Sequence, residues 1–376
     1  MVNNIRLQNF RSYGDASFEF EDGVNIVVGP NASGKTNLLE AVLVLASGGS
    51  FRARDQELIK FTKPWVRLDG QFEKHKRALR LVLQGSPSQG VEKTFELDDK
   101  PFKRLNLERT VPVVLFEPNH LQLITRGPEQ RRLFFDDILQ RTIPGFKALS
   151  LKYRRTLAQR NALLKIDPAK ARGQLFAWNI RLSELAAQIV SARLELISEI
   201  NRSISKIYSI IAGKRSKVVL VYDSSLLQGR ALQQGRALQD YSSRLLAKLE
   251  ATVAKDFARG FTGYGPHRED IIIWLNKQPA AAGASRGEMR SLLLALKIFE
   301  LKLLEKPRAP MNRTVHGAEK PIFLLDDVFS ELDVKRRRHL VEYLDGYQTI
   351  ITTTDADTVL EYFSKQAYLL PLYKKT

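Results

Sequence analysis

The sequence predicts an α/β fold whose head is assembled from both ends of the chain, with an α-helical domain inserted between the halves. Three observations carry this. A β-branched run, Val24–Val28, leads into a glycine-bearing loop and then a helical run from Asn37. A second apolar run, Pro321–Leu325, ends in Asp326 and Asp327. Between them lies a long stretch with helical apolar spacing and most of the excess positive charge.

The first element is the most specific. Val24–Val28 has the composition of a strand buried on both faces. Gly29-Pro30-Asn31-Ala32-Ser33-Gly34-Lys35-Thr36 fits G-x-x-x-x-G-K-[ST] in full, and Asn37 opens the helix behind it. Strand, loop and helix together make a P-loop. Glycines let the backbone curl into an anion nest, and the helix N-terminus adds its dipole. Lys35 then reaches the β- and γ-phosphates of ATP, and Thr36 places its hydroxyl on Mg²⁺. The second element completes the chemistry: Asp326 is expected to hold Mg²⁺, directly or through water, and Asp327 to polarise the attacking water.

About 40 residues before Asp326, Gly283-Ala284-Ser285-Arg286-Gly287-Glu288-Met289-Arg290 precedes the apolar run Leu292–Leu296. Ser285 with Glu288 three residues on reads as a capping box. The alternative is a second phosphate-facing helix N-terminus.

The middle of the chain reads as helix. Leu175, Trp178, Leu182, Leu185, Ile189, Ala192 and Leu196 recur in alternating steps of three and four, and Ile200, Ile204, Ile207 and Ile211 continue the stripe to Gly213. Some 38 residues give a rod of roughly 55–60 Å. A shorter helix over about 146–165 precedes it. The joint, Asp167-Pro168 to Gly173, makes the pair an antiparallel hairpin arm, a short coiled coil. Residues 228–239 contain a short duplication, and 307–321 read as a surface loop.

Composition narrows the chemistry. The 376 residues carry a net charge of +18, no cysteine and five histidines, which excludes disulfides, thiolate metal sites and cysteine nucleophiles. No apolar run is long enough to span a membrane, and the expected location is the cytoplasm, at the nucleoid. Residues 151–250 hold 18 basic and 7 acidic residues, whereas residues 1–100 are nearly neutral. Charge concentrated on one helical region points to an anionic polymer. The candidate DNA contacts are Lys152, Arg154, Arg155, Arg160, Arg172 and Arg181, reading backbone rather than bases.

Taken together, these motifs resemble the ABC-type ATPase heads of the SMC/Rad50 class, and within it the RecF family of bacterial recombination mediators. The resemblance rests on Leu7–Tyr13, Asn31–Asn37, Phe116-Glu117-Pro118, Gly127-Pro128 with Arg131–Asp136, Gly265–Asp270 and Asp326–Asp333, in the family's order. It implies a head from residues 1–110 and 263–376 around a helical domain at 111–262. It implies that Arg11 and Asn37 join the ATP site formed by Gly29, Pro30, Asn31, Ala32, Ser33, Gly34, Lys35 and Thr36. Ser285, Arg286, Gly287 and Glu288 become the signature that meets the other subunit's nucleotide in an ATP-dependent homodimer, with Glu331 and Asp333 as the D-loop at the seam. The implied partners are DNA gaps and duplex–single-strand junctions, with RecO and RecR as helpers in loading RecA. Two departures stand out against transporter ATPases. The segment Ile350–Asp355 has no switch histidine, and the second acid is Asp327 rather than Glu, so slow hydrolysis acting as a switch is expected; the activity expected is a weak, DNA-stimulated ATPase. Gln122 is the nearest candidate for the Q-loop glutamine. A DNA tether of the SMC/Rad50 type is disfavoured by the shortness of the arm, and a transporter subunit by its charge.

Overall fold

The computed structural model describes residues 1–85, 90–227, 236–306, 320–363 and 367–373, leaving aside the side chains of residue 172 and of residues 236–239. Most of the duplication at 228–239 and nearly all of the 307–321 loop therefore lie outside the described residues.

In chain order the elements begin with β1 (Val2–Gln8), β2 (Asp15–Glu19), β3 (Val24–Val28), α1 (Lys35–Ser47), β4 (Trp65–Phe72), β5 (His75–Leu83), β6 (Val91–Leu97), β7 (Lys100–Phe102) and β8 (Val113–Phe116). There follow α2 (Gln122–Thr125), α3 (Pro128–Thr142), α4 (Phe146–Leu163), α5 (Pro168–Ala212), β9 (Val218–Asp223), α6 (Arg236–Ala251), α7 (Val253–Arg259), β10 (Asp270–Leu275), β11 (Gln278–Pro279), α8 (Ala280–Gly283) and α9 (Arg286–Glu305). The chain closes with β12 (Ile322–Asp326), α10 (Val328–Glu331), α11 (Val334–Leu344), β13 (Thr349–Thr353), α12 (Ala356–Leu360) and β14 (Ala367–Pro371).

These elements form two compact units. One gathers Met1–His120, Ile210–Gly213 and Arg290–Thr376, the other Leu121–Ser209 and Lys214–Met289. The boundaries expected at 110/111 and 262/263 therefore move. Strand β8 pairs in parallel with β12, Val113 opposite Ile322, which keeps residues 111–120 in the head. Strand β10 pairs with β9 and β11, which keeps 270–279 in the inserted unit.

The head unit has a parallel sheet ordered β14-β3-β13-β12-β8 and a six-stranded antiparallel sheet ordered β2-β1-β4-β5-β6-β7. Helix α1 packs against strands of both, and its Leu38, Leu39, Val42 and Leu45 join Val66, Leu68, Leu79, Leu115, Leu324 and Ile350 in one core. A helix covered on both sides must be apolar nearly all round, as α1 is. Among the described residues no helix is long and apolar enough to cross a membrane.

The inserted unit is not purely helical. It contains a three-stranded antiparallel sheet, β11-β10-β9, that the sequence reading missed. Helix α5 is also longer than expected, at 45 residues. Pro168 starts it rather than breaking it, because a proline at the first helical position lacks only an N–H that has no intrahelical partner. Asp167 caps that end through Ala169 N–H, 2.8 Å away. Gly213, at φ 63°, ends the helix as expected. Helices α4 and α5 run antiparallel: Leu164 packs on Ala171 and Leu175, and further from the joint Arg160 meets Asn179.

Helix α5 also shields the edge of the small sheet. Asn201, Ser205 and Ser209 each donate to and accept from one β9-side residue, respectively Leu220, Val218 and Ser216, at 2.8–3.1 Å. Four helical residues advance about 6 Å and two strand residues about 6.8 Å, so the two spacings stay in step over this length. The side chains stand in for the missing neighbour strand and satisfy an edge that is otherwise open to pairing.

Candidate functional site: a P-loop and a paired carboxylate

Every strand carrying a P-loop or carboxylate residue lies inside the parallel sheet. In such sheets ligands bind beyond the C-terminal strand ends. Strand β3 delivers the P-loop there, and β12 delivers Asp326 and Asp327. Within the loop, Ala32 at φ 67° and Gly34 at φ 103° are left-handed, the backbone pattern of an anion nest. Only glycine fits at 34, since an added Cβ would fall 2.7 Å from the Tyr13 hydroxyl. That hydroxyl donates to Gly34 O at 3.0 Å, tying the 9–14 turn to the loop.

Lys35 is the first residue of α1 and is buried. Its ammonium donates to Gly29 O at 2.6 Å and Pro30 O at 2.9 Å. Burial pushes its pKa down, while Asp327 and Asp326 oppose the shift. The lysine thus sits in the field of both carboxylates. Thr36 Oγ1 lies 3.0 Å from each oxygen of Asp326. On the neighbouring strand β13, Thr352 stands opposite Asp326 in register, donates to Asp326 Oδ1 at 2.7 Å and accepts from Asp327 N at 3.0 Å. Asp327 itself is left-handed, φ 51°, and precedes α10 without a side-chain capping bond, while Ser330 donates to its Oδ1 at 3.0 Å. A hydroxyl and a carboxylate in contact form a hard-oxygen donor set of the kind Mg²⁺ takes beside substrate phosphates.

Arg11 flanks this site with its fork bidentate on Glu40, at 2.9 and 2.8 Å, and a third bond to Glu57 O. Glu40 is fully buried; burial raises its pKa, but Arg11, Arg52 and Ser50 outweigh that and hold it below the usual carboxylate range. Asn37 joins the same network, donating to Ser12 Oγ at 2.9 Å and accepting from Arg52 at 2.6 Å.

Two residues acquire a place that sequence reasoning did not give them. Thr352 is one. Glu117 is the other: it follows β8 directly, one step beyond the pair Phe116–Leu325, and so neighbours Asp326. Burial raises its pKa and Asp326 adds to the shift, against Lys297 and Arg52. The available signal was an apolar run ending in an acid, the same pattern as at Asp326. Gln122, the candidate Q-loop residue, opens α2 and counts with the inserted unit.

The signature residues Ser285, Arg286, Gly287 and Glu288 count with the inserted unit, at the start of α9. The capping box is present: Ser285 N donates to Glu288 Oε2 at 2.9 Å, and Glu288 N to Ser285 Oγ at 3.3 Å. Lys214, 2.7 Å from Glu288, and Ser285 hold the Glu288 pKa down at about 2. Of the D-loop pair, Glu331 is bridged to Arg290 at 3.2 Å, and Asp333 caps α11 and pairs with Arg336.

The candidate DNA contacts divide. Lys152, Arg154 and Arg155 are exposed on α4. Arg181 is exposed but paired with Glu184 at 3.2 Å. The side chain of Arg172 lies outside the described residues. Arg160 is corrected: it is 0% exposed, bridged to Asp256 at 2.8 Å and hydrogen-bonded to Asn179 and Thr262. Its charge holds the inserted unit together and is not available to a ligand. Two of the quoted motifs serve the same unit. Arg131 is bidentate on Asp270, Arg132 donates to Glu269 O, and Asp136 is bidentate with the buried Arg193.

Comparison with known proteins agrees with this fold. The RecF/RecN/SMC N terminal domain family matches residues 1–370. The chain is 33% identical to the DNA replication and repair protein RecF of Halalkalibacterium halodurans, covering 95% of this chain and 94% of that one. It is 34% identical to its counterpart in Streptococcus uberis, covering 96% and 94%. A solved structure of the recombination mediator protein RecF-ATP in the RecFOR pathway superposes with a TM-score of 0.79 at 29% identity, over 94% of this chain and 92% of that one. An SMC head bound to the C-winged helix domain of ScpA shares the fold, at 16% identity and a TM-score of 0.52. With an ABC-type ATPase head drawn from both chain ends, a complete P-loop and the Asp326–Asp327 pair set against it, this chain belongs to the RecF family.

Proposed function

We propose that this chain is an ATP-dependent DNA-binding protein of recombinational and replication-gap repair, in which ATP gates a homodimer that clamps DNA at gaps and duplex–single-strand junctions. The observation that carries the ATP step is the convergence of Lys35, Thr36 and Asp326 at the C-terminal edge of the parallel sheet. The nest of residues 29–34 receives the phosphates, with Lys35 turned from its carbonyl partners onto the β- and γ-phosphates, and Arg11 and Asn37 bordering the nucleotide. Thr36 and Asp326 would hold Mg²⁺, which would supply charge neutralisation on those phosphates. Asp327, its carboxylate steadied by Ser330, polarises the attacking water. It is one methylene shorter than Glu, and the Thr352 hydroxyl beside it cannot act as a base near neutral pH, so turnover is slow, and bound DNA stimulates it.

Ser285, Arg286, Gly287 and Glu288 face the second subunit's nucleotide, with Glu331 and Asp333 at the seam. Lys152, Arg154, Arg155 and Arg181 contact phosphates. The RecF relatives, one of them described in the RecFOR pathway, support RecO and RecR as partners. With them the protein helps load RecA, in the cytoplasm at the nucleoid. The test is DNA binding with and without ATP on gapped, duplex and single-stranded substrates, alongside a mass measurement. ATP-dependent dimers preferring gapped DNA are expected, and a nucleotide-independent monomer on every substrate overturns the clamp.

A further inference from the structure

The loop after α7 packs against α4. Thr262 N donates to Asn161 Oδ1 at 2.8 Å, Arg160 Nη1 donates to Thr262 Oγ1 at 2.7 Å, and the Tyr153 hydroxyl sits 2.6 Å from His267 Nδ1. Residues 262–267 therefore pack against the α4 segment 153–161, as a tight turn in which His267 Nε2 stands 3.2 Å from Thr262 O. Both sides of this contact lack acids: neither 138–166 nor 257–268 contains an Asp or a Glu. Lys152, Arg154, Arg155, Arg259 and Arg268 are exposed along it, and among the described residues none of the five is in an ion pair. At its end Phe261 is 39% exposed, with the Arg268 guanidinium 4.7 Å from its ring centroid.

A ring left in water beside unpaired cations matches one ligand chemistry. Cations on an acid-free track neutralise successive phosphates, and an exposed aromatic face with an arginine against it takes an unstacked base. We propose that Phe261 and Arg268 form a base-stacking platform at the end of the α4 phosphate track, and that single-stranded nucleic acid is its ligand. The inference rests on the DNA-binding reading and adds to it where, and by what contact, an unpaired nucleotide is told from a paired one.

The test uses the full chain with ATP and three fluorescein-labelled DNAs at fixed salt: a 20-mer single strand, a gapped duplex and a blunt duplex. Phe261→Ala weakens binding to the first two about tenfold and leaves the blunt duplex within about twofold, because stacking is lost while phosphate contacts remain. Phe261→Trp retains wild-type affinity. Irradiation of a 5-iododeoxyuridine single strand bound to the wild type crosslinks the tryptic peptide spanning 260–268. Equal weakening on all three DNAs, wild-type affinity for Phe261→Ala, or crosslinks confined to other peptides overturns the platform while leaving DNA binding intact. If the wild type binds none of the three, the DNA-binding reading falls and the platform with it.

Discussion

Thr36 and Asp326, 290 positions apart in the chain, meet at 3.0 Å. The parallel pairing of β3, β13 and β12 brings them together, since it aligns the C-terminal ends of strands from opposite ends of the chain. Asp326→Asn removes the full negative charge offered to a metal at this point and keeps the side chain's size. ATP turnover should fall by about 100-fold or more, with the Mg²⁺ requirement shifted to higher concentration. A titration of turnover against Mg²⁺ reads both. Unchanged turnover would remove Asp326 from the site.

Asp327→Asn tests the water-polarising role separately. Nucleotide binding should survive, because the nest and Lys35 are intact, while DNA-stimulated hydrolysis drops. Retention of the wild-type rate would show that Asp327 is not the base.

Arg160→Ala should destabilise the inserted unit by about 3–5 kcal/mol, the usual effect of leaving one member of a buried ion pair alone. Urea unfolding measures it. Replacing Arg160 and Asp256 together with apolar residues should recover much of the loss, since neither charge is then stranded. Had Arg160 been a phosphate contact, the single change would leave stability alone and lower the salt slope of DNA binding instead.

His267 gives the inserted unit a pH dependence. Burial, the largest influence, pushes its pKa down to about 4, against about 6.5 in an unfolded chain. Between those values the unfolded chain takes up a proton that the folded one does not. Stability from this residue is therefore complete above about pH 6.5 and declines as pH falls towards 4, by at most about 3 kcal/mol. Thermal melts of His267→Gln across pH 4–7 should show a flatter slope than the wild type, and parallel slopes would refute the assignment.

Ser205→Ala removes a donor and an acceptor at once and strands the N–H and C=O of Val218. A loss of about 1–3 kcal/mol is expected, with faster amide exchange at Val218. Exchange at Val218 indistinguishable from the wild type would mean that water replaces the serine fully.

The parts legible in the sequence are those whose chemistry is local. The P-loop is eight consecutive residues, and Asp326-Asp327 end a single strand, so spacing alone identifies them. The capping box at Ser285 and Glu288 is likewise a four-residue pattern. What spacing could not supply is register and burial. Thr352 and Glu117 gain their places only because β13 and β8 flank β12, a fact of pairing between distant segments. Arg160 looked like one more surface cation because charge counts do not reveal which guanidinium faces inward. The joint placed over Asp167–Gly173 ends at Asp167, because Pro168 already opens the second helix. The sheet β9-β10-β11 escaped notice because helices α6 and α7 separate β9 from β10, β11 is only two residues long, and the outer edge is completed by side chains of α5.

That completed edge has a mechanical consequence. Asn201 and Ser205 engage β9 through four hydrogen bonds, and Ser209 adds two to Ser216 just before it, all six in one register. A slip of α5 by one residue turns all three side chains about 100° away from the strand, so no partial displacement preserves any of the bonds. The 45-residue helix and the sheet beside it are geared together. A load applied along α5 is delivered to β9 as a push on the whole strand, not absorbed by sliding between the two.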